Sequence, residues 1–510
     1  VTVVLGSGGA SAPDVIAVAR ADEQVELGPD ALEAMAASAA IVEELAAGDR
    51  PVYGVSTGFG SLATTPIPPA RRQDLQRALV RSHAAGLGEP VEREVVRGML
   101  FLRARSLALG YSGARPLVAE TMLALLNAGI TPIVPEYGSL GASGDLAPLA
   151  HCALALLGEG DVLDAEGSRR PAADVLAEAD IEPLTLRAKE GLALVNGTDG
   201  ILAMLVLALE DLGELLRVAD VCAAMSVEAL LGTDRAYAAD LQALRPHPGQ
   251  AASAANLRRL LAGSPIVASH AENDPRVQDA YSLRCAPQVH GAARDAVAYA
   301  TRVAETELGS AIDNPMILPD GRVESCGNFH GAPLGYACDL LAIAIADLGA
   351  MVERRTDRLL DASRSCGLPP FLAEEPGVNS GLMLGQYTQA ALVAENRRLA
   401  LPASTDSLPT SAGQEDHVSL AWSAARKLRR SLVNLRRILA VELTCAARAL
   451  DLRAPLSPAA GTGAALAALR LHVPGPGADR FLSPELAAAE AMIEQGELLA
   501  AVEQRLGDLV

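Results

Sequence analysis

Three stretches of the chain carry an apolar face at helical spacing over many turns with few breakers inside. They are ILAMLVLALEDLGELLRVADVCAAMSVEALLG at 201–232, APLGYACDLLAIAIADLGAMVERRTDRLLD at 332–361 and HVSLAWSAARKLRRSLVNLRRILAVELTCAARALDL at 417–452. Each outruns the roughly three-turn average of a globular helix. Several rods of that length bury their apolar stripes by lying alongside one another in a bundle. Side-chain chemistry agrees: half of the 510 residues are hydrophobic but only 3% are aromatic, so the core is built from Ala, Leu and Val. Ala and Leu rank highest in helix propensity. The fold class expected is mainly α, a long central helix bundle with a smaller mixed N-terminal domain.

Residues 1–110 read as that mixed α/β domain. VTVVL and PVYGVST have strand character, PDALEAMAASAAIVEELAAG between them is an amphipathic helix, and the glycines of YGVSTGFG mark a lid loop. Residues 111–510 read as the helical domain. Near its end, SPELAAAEAMIEQGELLAAVEQRL places Ser483 as an N-cap and Pro484 at the first helical position. Segments dense in Gly, Pro, Asn and Ser separate the rods at 53–69, 135–148, 196–200, 309–335 and 402–416. Loops between rigid elements are where chemistry concentrates.

With 42 basic against 62 acidic residues the net charge is −20, which argues against nucleic acid or an anionic membrane as a partner. Seven cysteines, odd in number and never spaced C-x-x-C, fit the reduced thiols of a cytoplasmic protein. The N-terminus lacks a basic n-region, so no signal peptide is expected. The most apolar run, ILAMLVLAL at 201–209, stops at Glu210-Asp211 and is too short to span a bilayer. The chain is expected to be soluble and cytoplasmic, with no membrane partner.

There is no G-x-x-x-x-G-K-[ST] phosphate loop and no H-E-x-x-H helix, and the eight histidines do not cluster, so no metal is expected. Gly141-Ala142-Ser143-Gly144-Asp145 differs from a G-x-S-x-G nucleophile elbow at its fifth residue. The same residues permit another chemistry. Gly144 reaches dihedrals closed to other residues, and in a tight bend its nitrogen can attack the carbonyl carbon of Ala142. Loss of one water closes a five-membered ring, and loss of a second from Ser143 leaves an exocyclic methylidene. The product is an electrophile made from backbone, a function no natural side chain supplies. The triplet by itself is common, so its surroundings decide.

Those surroundings, GSLGASGDLAPLAH at 138–151, resemble the signature of the aromatic amino-acid ammonia-lyase family. The resemblance continues in order through YGVSTGFG (53–60), SHAAGLGEP (82–90), KEGLALVNGTDG (189–200), VQDAYSLRCAPQ (277–288), DNP (313–315), GNFHG (327–331) and PTSAGQEDHVS (409–419). It implies a fumarase/aspartase-like helical architecture and a homotetramer in which each active site takes motifs from three subunits. It also implies a 4-methylideneimidazol-5-one (MIO) group formed autocatalytically from Ala142-Ser143-Gly144, with no external cofactor. Ser82-His83 together with Gln414-Glu415-Asp416-His417 is similar to the members that act on L-histidine. The reaction so implied is elimination of ammonia from L-histidine to give trans-urocanate, the first step of histidine degradation, by a carbon–nitrogen lyase.

By the same resemblance Tyr53 is the candidate base and Tyr281 a second catalytic tyrosine. Glu415 also stands close enough in role that the β-proton base is left open between it and Tyr53. Arg284 would grip the substrate carboxylate in a bidentate fork that lysine cannot reproduce. Asn196 and Gln278 would hydrogen-bond the electrophile or the substrate, and Phe329 would pack beside it. His83 and Glu415 would pair the two imidazole nitrogens and so reject a phenyl ring. Asp145 would orient the loop without reacting. Taken singly, an arginine is usually a surface ion pair and an amide a loop cap; the match of whole motifs is what distinguishes these. The sequence departs from the common family pattern at Arg105, Tyr137, Ala286 and His290, none of which removes a proposed catalytic group.

Three alternatives stand beside this reading. A phenylalanine or tyrosine ammonia-lyase would share the electrophile but not the His83 and Glu415 pairing. A 2,3-aminomutase would return the ammonia to the β-carbon. A non-catalytic helical scaffold would have lost reactive residues, whereas Ser143, Tyr53, Tyr281 and Arg284 are all present.

Overall fold

The computed structural model describes residues 2–48, 51–272, 274 and 276–510, so Val1 of the VTVVL segment lies outside it. The chain is mainly α-helical. It divides into two compact units, one of Val1–Leu207, Ala300–Asp339 and Pro402–Arg426, the other of Ala208–Tyr299, Leu340–Leu401 and Lys427–Val510. The units are built from interleaved segments, which differs from a division at residue 110. The physical reason is the length of the rods: Asp199–Ala229, Ala332–Leu360 and Ala421–Asp451 each carry the chain out of one unit and into the other.

The first unit is organised around the helix Arg93–Ala108, in which every residue from Val95 onward is buried. Met99, Leu100, Phe101 and Leu102 are completely enclosed, and each such side chain contributes roughly 1.5–3 kcal/mol. The helix packs against Ala12–Arg20 and Pro116–Asn127. Arg97 is fully buried on it and donates to Val18 O and Leu126 O, both at 3.1 Å. Ser11 starts the Ala12–Arg20 helix with a capping box, its hydroxyl receiving Asp14 N–H while the Asp14 carboxylate receives Ser11 N–H. The strands are short: Val3–Leu5 pairs in parallel with Val25–Leu27, and Asp161–Leu163 lies between antiparallel Thr131–Pro132 and Arg169–Pro171.

The second unit is a helix bundle closed by buried polar ties. Asp220 and His290, both without exposure, meet at 2.7 Å. Glu442 takes Ser226 Oγ at 2.8 Å and Arg355 Nη2 at 2.9 Å. Gln389 Nε2 donates to Ile438 O at 2.8 Å. Buried charge is tolerated only when paired and hydrogen-bonded in this way.

Three local expectations need correction. PVYGVST is a turn instead of a strand, with Val55 N–H and Ser56 N–H both returning to Val52 O. Gly54 sits there at φ +74°, a conformation incompatible with an extended run. The C-terminal stretch starts with Leu482 and has Phe481 at the cap, so Ser483 lies inside the first turn. It then splits at Gly496 into Leu482–Glu494 and Glu497–Leu506. Lastly, the apolar run at 201–209 belongs to a longer helical segment: Glu190–Ala229 and Ala332–Leu360 are long and apolar enough to cross a membrane, with the apolar windows 94% and 56% buried inside the protein. The burial of the first is that of a core helix.

Candidate active site

The loop from Gly138 to Asp145 in the first unit is pinned where three helices begin. The helix Leu146–Leu156 follows directly from Asp145. Asp145 N–H donates to Gly197 O at 2.6 Å, just before the Asp199–Ala229 helix. Ser419 Oγ donates to Gly141 O at 2.9 Å and Leu420 N–H to Leu140 O at 2.8 Å, at the start of Ala421–Asp451. Helix N-termini carry partial positive charge, so the loop sits in a field that favours electron withdrawal. Inside the bend, Ser139 Oγ receives Gly141 N–H at 3.1 Å and lies 3.1 Å from Asp145 Oδ1.

Gly144 has φ +72°, and a Cβ there would stand 2.1 Å from Gly197 O. Only glycine fits. Ala142 is buried against Val418 and Leu420, while Ser143 is half-buried and faces a cavity. A glycine enforced at 144, a small residue at 142 and a serine open to a cavity at 143 are the residues such a ring closure would require.

Asp145 is completely buried, and its Oδ2 receives Gly200 N–H at 2.9 Å and Ile201 N–H at 3.0 Å. It thus caps the Asp199–Ala229 helix. Burial, reinforced by the Asp199 charge, outweighs these hydrogen bonds and pushes its carboxyl up to about 7. Asp199 is itself held by Arg103 at 3.2 Å. Arg105, the departure noted above, is fully buried beside it, and burial lowers its guanidinium to about 10.

The cavity holds about 490 Å³. Ala142 and Ser143 form part of its wall together with Tyr53, Gly60 and Ala63 from the glycine-rich loop. Asn314, Ser325, Cys326, Gly327, Phe329 and His330 form another part, and Gln414 to His417 a third. Gly60 N–H donates to Tyr53 Oη at 3.2 Å, and Phe59 packs edge-on to the Tyr53 ring at 6.3 Å. Thr410 Oγ1 donates to Glu415 Oε2 at 2.8 Å across a short antiparallel bridge that also joins the two backbones. His330 and His417 stack with ring centroids 5.7 Å apart and planes 7° from parallel.

His83 ends the Arg72–His83 helix, and its Nδ1 lies 3.2 Å from Ser82 Oγ. It is not among the cavity-lining residues. Burial nevertheless lowers its affinity for a proton, while the Glu415 charge pulls the other way. Asn196 is buried behind the cavity wall. Its Nδ2 donates to Asp313 Oδ1 at 3.1 Å and to Asn314 O at 3.0 Å, and its Oδ1 has no partner.

The structure thus brings Tyr53, Ala142, Ser143, Phe329 and Glu415 to one cavity and ties Asn196 to Asn314 of its wall, while His83 stands outside the lining within reach of the Glu415 charge. Gln278, Tyr281 and Arg284 belong to the second unit. There Tyr281 is 70% exposed, Arg284 Nε donates to Asp279 O at 2.9 Å, and the guanidinium lies 4.5 Å over the Tyr281 ring. Sequence reasoning assigned no role to Asn314, Cys326, His330, Thr410 or His417. For all but Cys326, which directly precedes GNFHG, the signal was present in the DNP, GNFHG and PTSAGQEDHVS segments, but nothing local says which residues of a motif face a cavity.

The profile of the family described as "Aromatic amino acid lyase" matches residues 10–471. A "Histidine ammonia-lyase" of Streptomyces avermitilis is 61% identical over 509 residues, covering 100% of this chain and 99% of that protein. One of Deinococcus radiodurans is 52% identical over 485 residues, covering 95% and 92%. Among solved structures, histidine ammonia-lyase from Trypanosoma cruzi superposes with a TM-score of 0.91 at 38% identity, covering 99% of this chain and 96% of that one. A tyrosine aminomutase from Streptomyces globisporus gives 0.94 at 37% identity with full coverage of both chains. A matching profile over most of the length, and relatives this similar from end to end, establish that the chain belongs to the aromatic amino acid lyase family.

Proposed function

We propose that this chain eliminates ammonia from L-histidine to give trans-urocanate, with an MIO group formed from Ala142, Ser143 and Gly144. The observation that carries the reading is one cavity lined by Ser143, Tyr53 and Glu415. The full-length likeness to proteins named histidine ammonia-lyase supports the choice of substrate.

The elimination is difficult because the β-proton is scarcely acidic and an amine is a poor leaving group. The MIO group would supply an electrophilic carbon that takes up the α-amino group and so improves its departure. The chain's own residues do the rest. Tyr53 presents an oxygen that already receives Gly60 N–H, so the negative charge it must carry before it takes a proton, and which the proton then cancels, meets a fixed donor. Glu415 has one oxygen held by Thr410, which orients the carboxylate to accept an imidazole N–H. His83, whose affinity for a proton burial lowers, pairs with the other side of the ring. A phenyl substrate would leave these polar groups unmatched, the arrangement by which sites discriminate most strongly.

Gln278, Tyr281 and Arg284 complete the site from neighbouring subunits of a homotetramer, Arg284 holding the substrate carboxylate. Support for the assembly comes from an exposed apolar stripe on the Ala332–Leu360 helix, Tyr336, Leu340 and Ile343, of the kind that marks a contact surface. A cytoplasmic location is in keeping with this chemistry. The deciding experiment follows ultraviolet absorbance of urocanate when purified protein meets L-histidine. Cinnamate from phenylalanine with no urocanate would replace the reading by the rival lyase, and a β-amino acid without free ammonia would replace it by the aminomutase.

A further inference from the structure

Lys189 is a lysine with no exposure at all, and the chemistry described so far does not use it. Its Nζ donates to Asp313 Oδ2 at 2.7 Å and to Ser112 O at 2.8 Å, and Asp313 is likewise completely buried. The other oxygen of Asp313 receives Asn314 N–H at 2.7 Å and Asn196 Nδ2 at 3.1 Å. Asn314 also takes the second Asn196 amide proton on its carbonyl oxygen, at 3.0 Å, and receives Cys326 N–H on its side chain at 2.8 Å. Asn314 and Cys326 are themselves cavity wall.

This arrangement allows the Asn196 amide only one orientation. Turned over, it would set its oxygen against a carboxylate and a carbonyl, three acceptors with no proton among them. Held as it is, both amide protons are consumed and Oδ1 is left buried without a donor. A buried acceptor with no donor is costly, and Asn196 is bonded to the wall residue Asn314, so a donor that arrives with the ligand can serve as its partner. An α-amino group is such a donor. Lys189 sits at φ +66°, a left-handed conformation that a side-chain-bearing residue adopts only when its surroundings enforce it.

We infer that Lys189 and Asp313 are positioning residues: the buried ion pair locks the Asn196 amide with its nitrogen inward and its oxygen presented as the acceptor for the substrate's amino group. The inference rests on the proposed reading of the site as one that binds an α-amino acid.

The test is a mutant cycle in the full-length enzyme. Lys189→Met combined with Asp313→Asn removes the pair without stranding a charge, and the amide at 313 can then offer Asn196 either a donor or an acceptor. Turnover of L-histidine, intact mass and circular dichroism are measured for wild type, this double variant, Asn196→Ala and the triple variant. The double variant is expected to fold, to be lighter than its translated mass by two waters, and to lose about 10- to 100-fold in kcat with KM changed less than about threefold. In the Asn196→Ala background the same pair of substitutions should change kcat by less than about twofold. An undiminished further loss in that background, or a double variant with unprocessed mass, overturns the inference, because the pair would then serve the fold or the ring closure. Should the double variant precipitate, Asp313→Glu moves the acceptor while keeping Lys189 paired, and is read in the same cycle. If wild type converts phenylalanine but not L-histidine, the substrate reading fails by itself. The cycle run on phenylalanine still decides the role of the pair.

Discussion

Replacing Gly144 by alanine tests the claim that backbone geometry, more than any side chain, makes this site. The added Cβ would lie 2.1 Å from Gly197 O, whereas ordinary contact begins at 3.4 Å, so 3.4 − 2.1 = 1.3 Å of displacement is needed. The atom that must move is a backbone carbonyl that holds Asp145 N–H at 2.6 Å. Breaking that bond costs about 0.5–1.5 kcal/mol. The positive φ of 72° adds about 1–2 kcal/mol for a residue with a Cβ, and the local overpacking about 1–3 kcal/mol. A loss of about 3–5 kcal/mol is expected, large against the 5–15 kcal/mol of a typical domain but short of abolishing the fold. Urea unfolding and intact-mass spectrometry read the two consequences: an earlier midpoint, and a chain that keeps its translated mass and turns over no substrate. A Gly144→Ala protein with the wild-type midpoint and two waters missing would refute the reasoning.

Ser143→Ala removes the source of the methylidene but no packing atom beyond a hydroxyl. It should abolish turnover and the loss of two waters while leaving circular dichroism and the unfolding midpoint within about 0.5 kcal/mol of wild type. For Asp145 the sign follows from its raised carboxyl, about 7 when folded against about 3.9 when unfolded. Between those values the native state holds a proton that the unfolded state has released, so this group's contribution falls as pH rises from about 4 to about 7 and is level above. The Asp145→Asn variant should flatten that part of the stability profile by up to about 4 kcal/mol in urea melts; an unchanged slope would count against the burial argument. His83→Leu with Glu415→Gln should lower kcat/KM for L-histidine by about 100-fold or more while raising the preference for phenylalanine relative to it, as competing-substrate assays would show.

The long rods were legible because helical periodicity is a property of near neighbours. The expected starts at 201, 332 and 417 compare with observed helices from Asp199, Ala332 and Ala421. PVYGVST misled because its β-branched residues favour strands, while Gly54 and the returning hydrogen bonds to Val52 O make it a turn. Of the candidate site, the tripeptide and the motifs around it could be found without coordinates. Thr410 behind Glu415, and Asn314 beside Asn196, could not. A motif states which residues are near in the chain, but not which of them points at a cavity.

What the amino-acid order determines by itself is chemistry confined to a few consecutive residues. The order alone supplies the three residues that a ring closure would draw on, Ala142, Ser143 and Gly144, and the apolar period that makes a helix. Tertiary structure decides everything that depends on burial and on partners distant in sequence. Asp145 becomes a cap for a helix that begins at Asp199, and burial there carries its titration to about 7. Lys189 meets an aspartate at 313 with no water left between them. Desolvation and pairing are long-range consequences of how the chain packs, and for that reason no local reading supplies them.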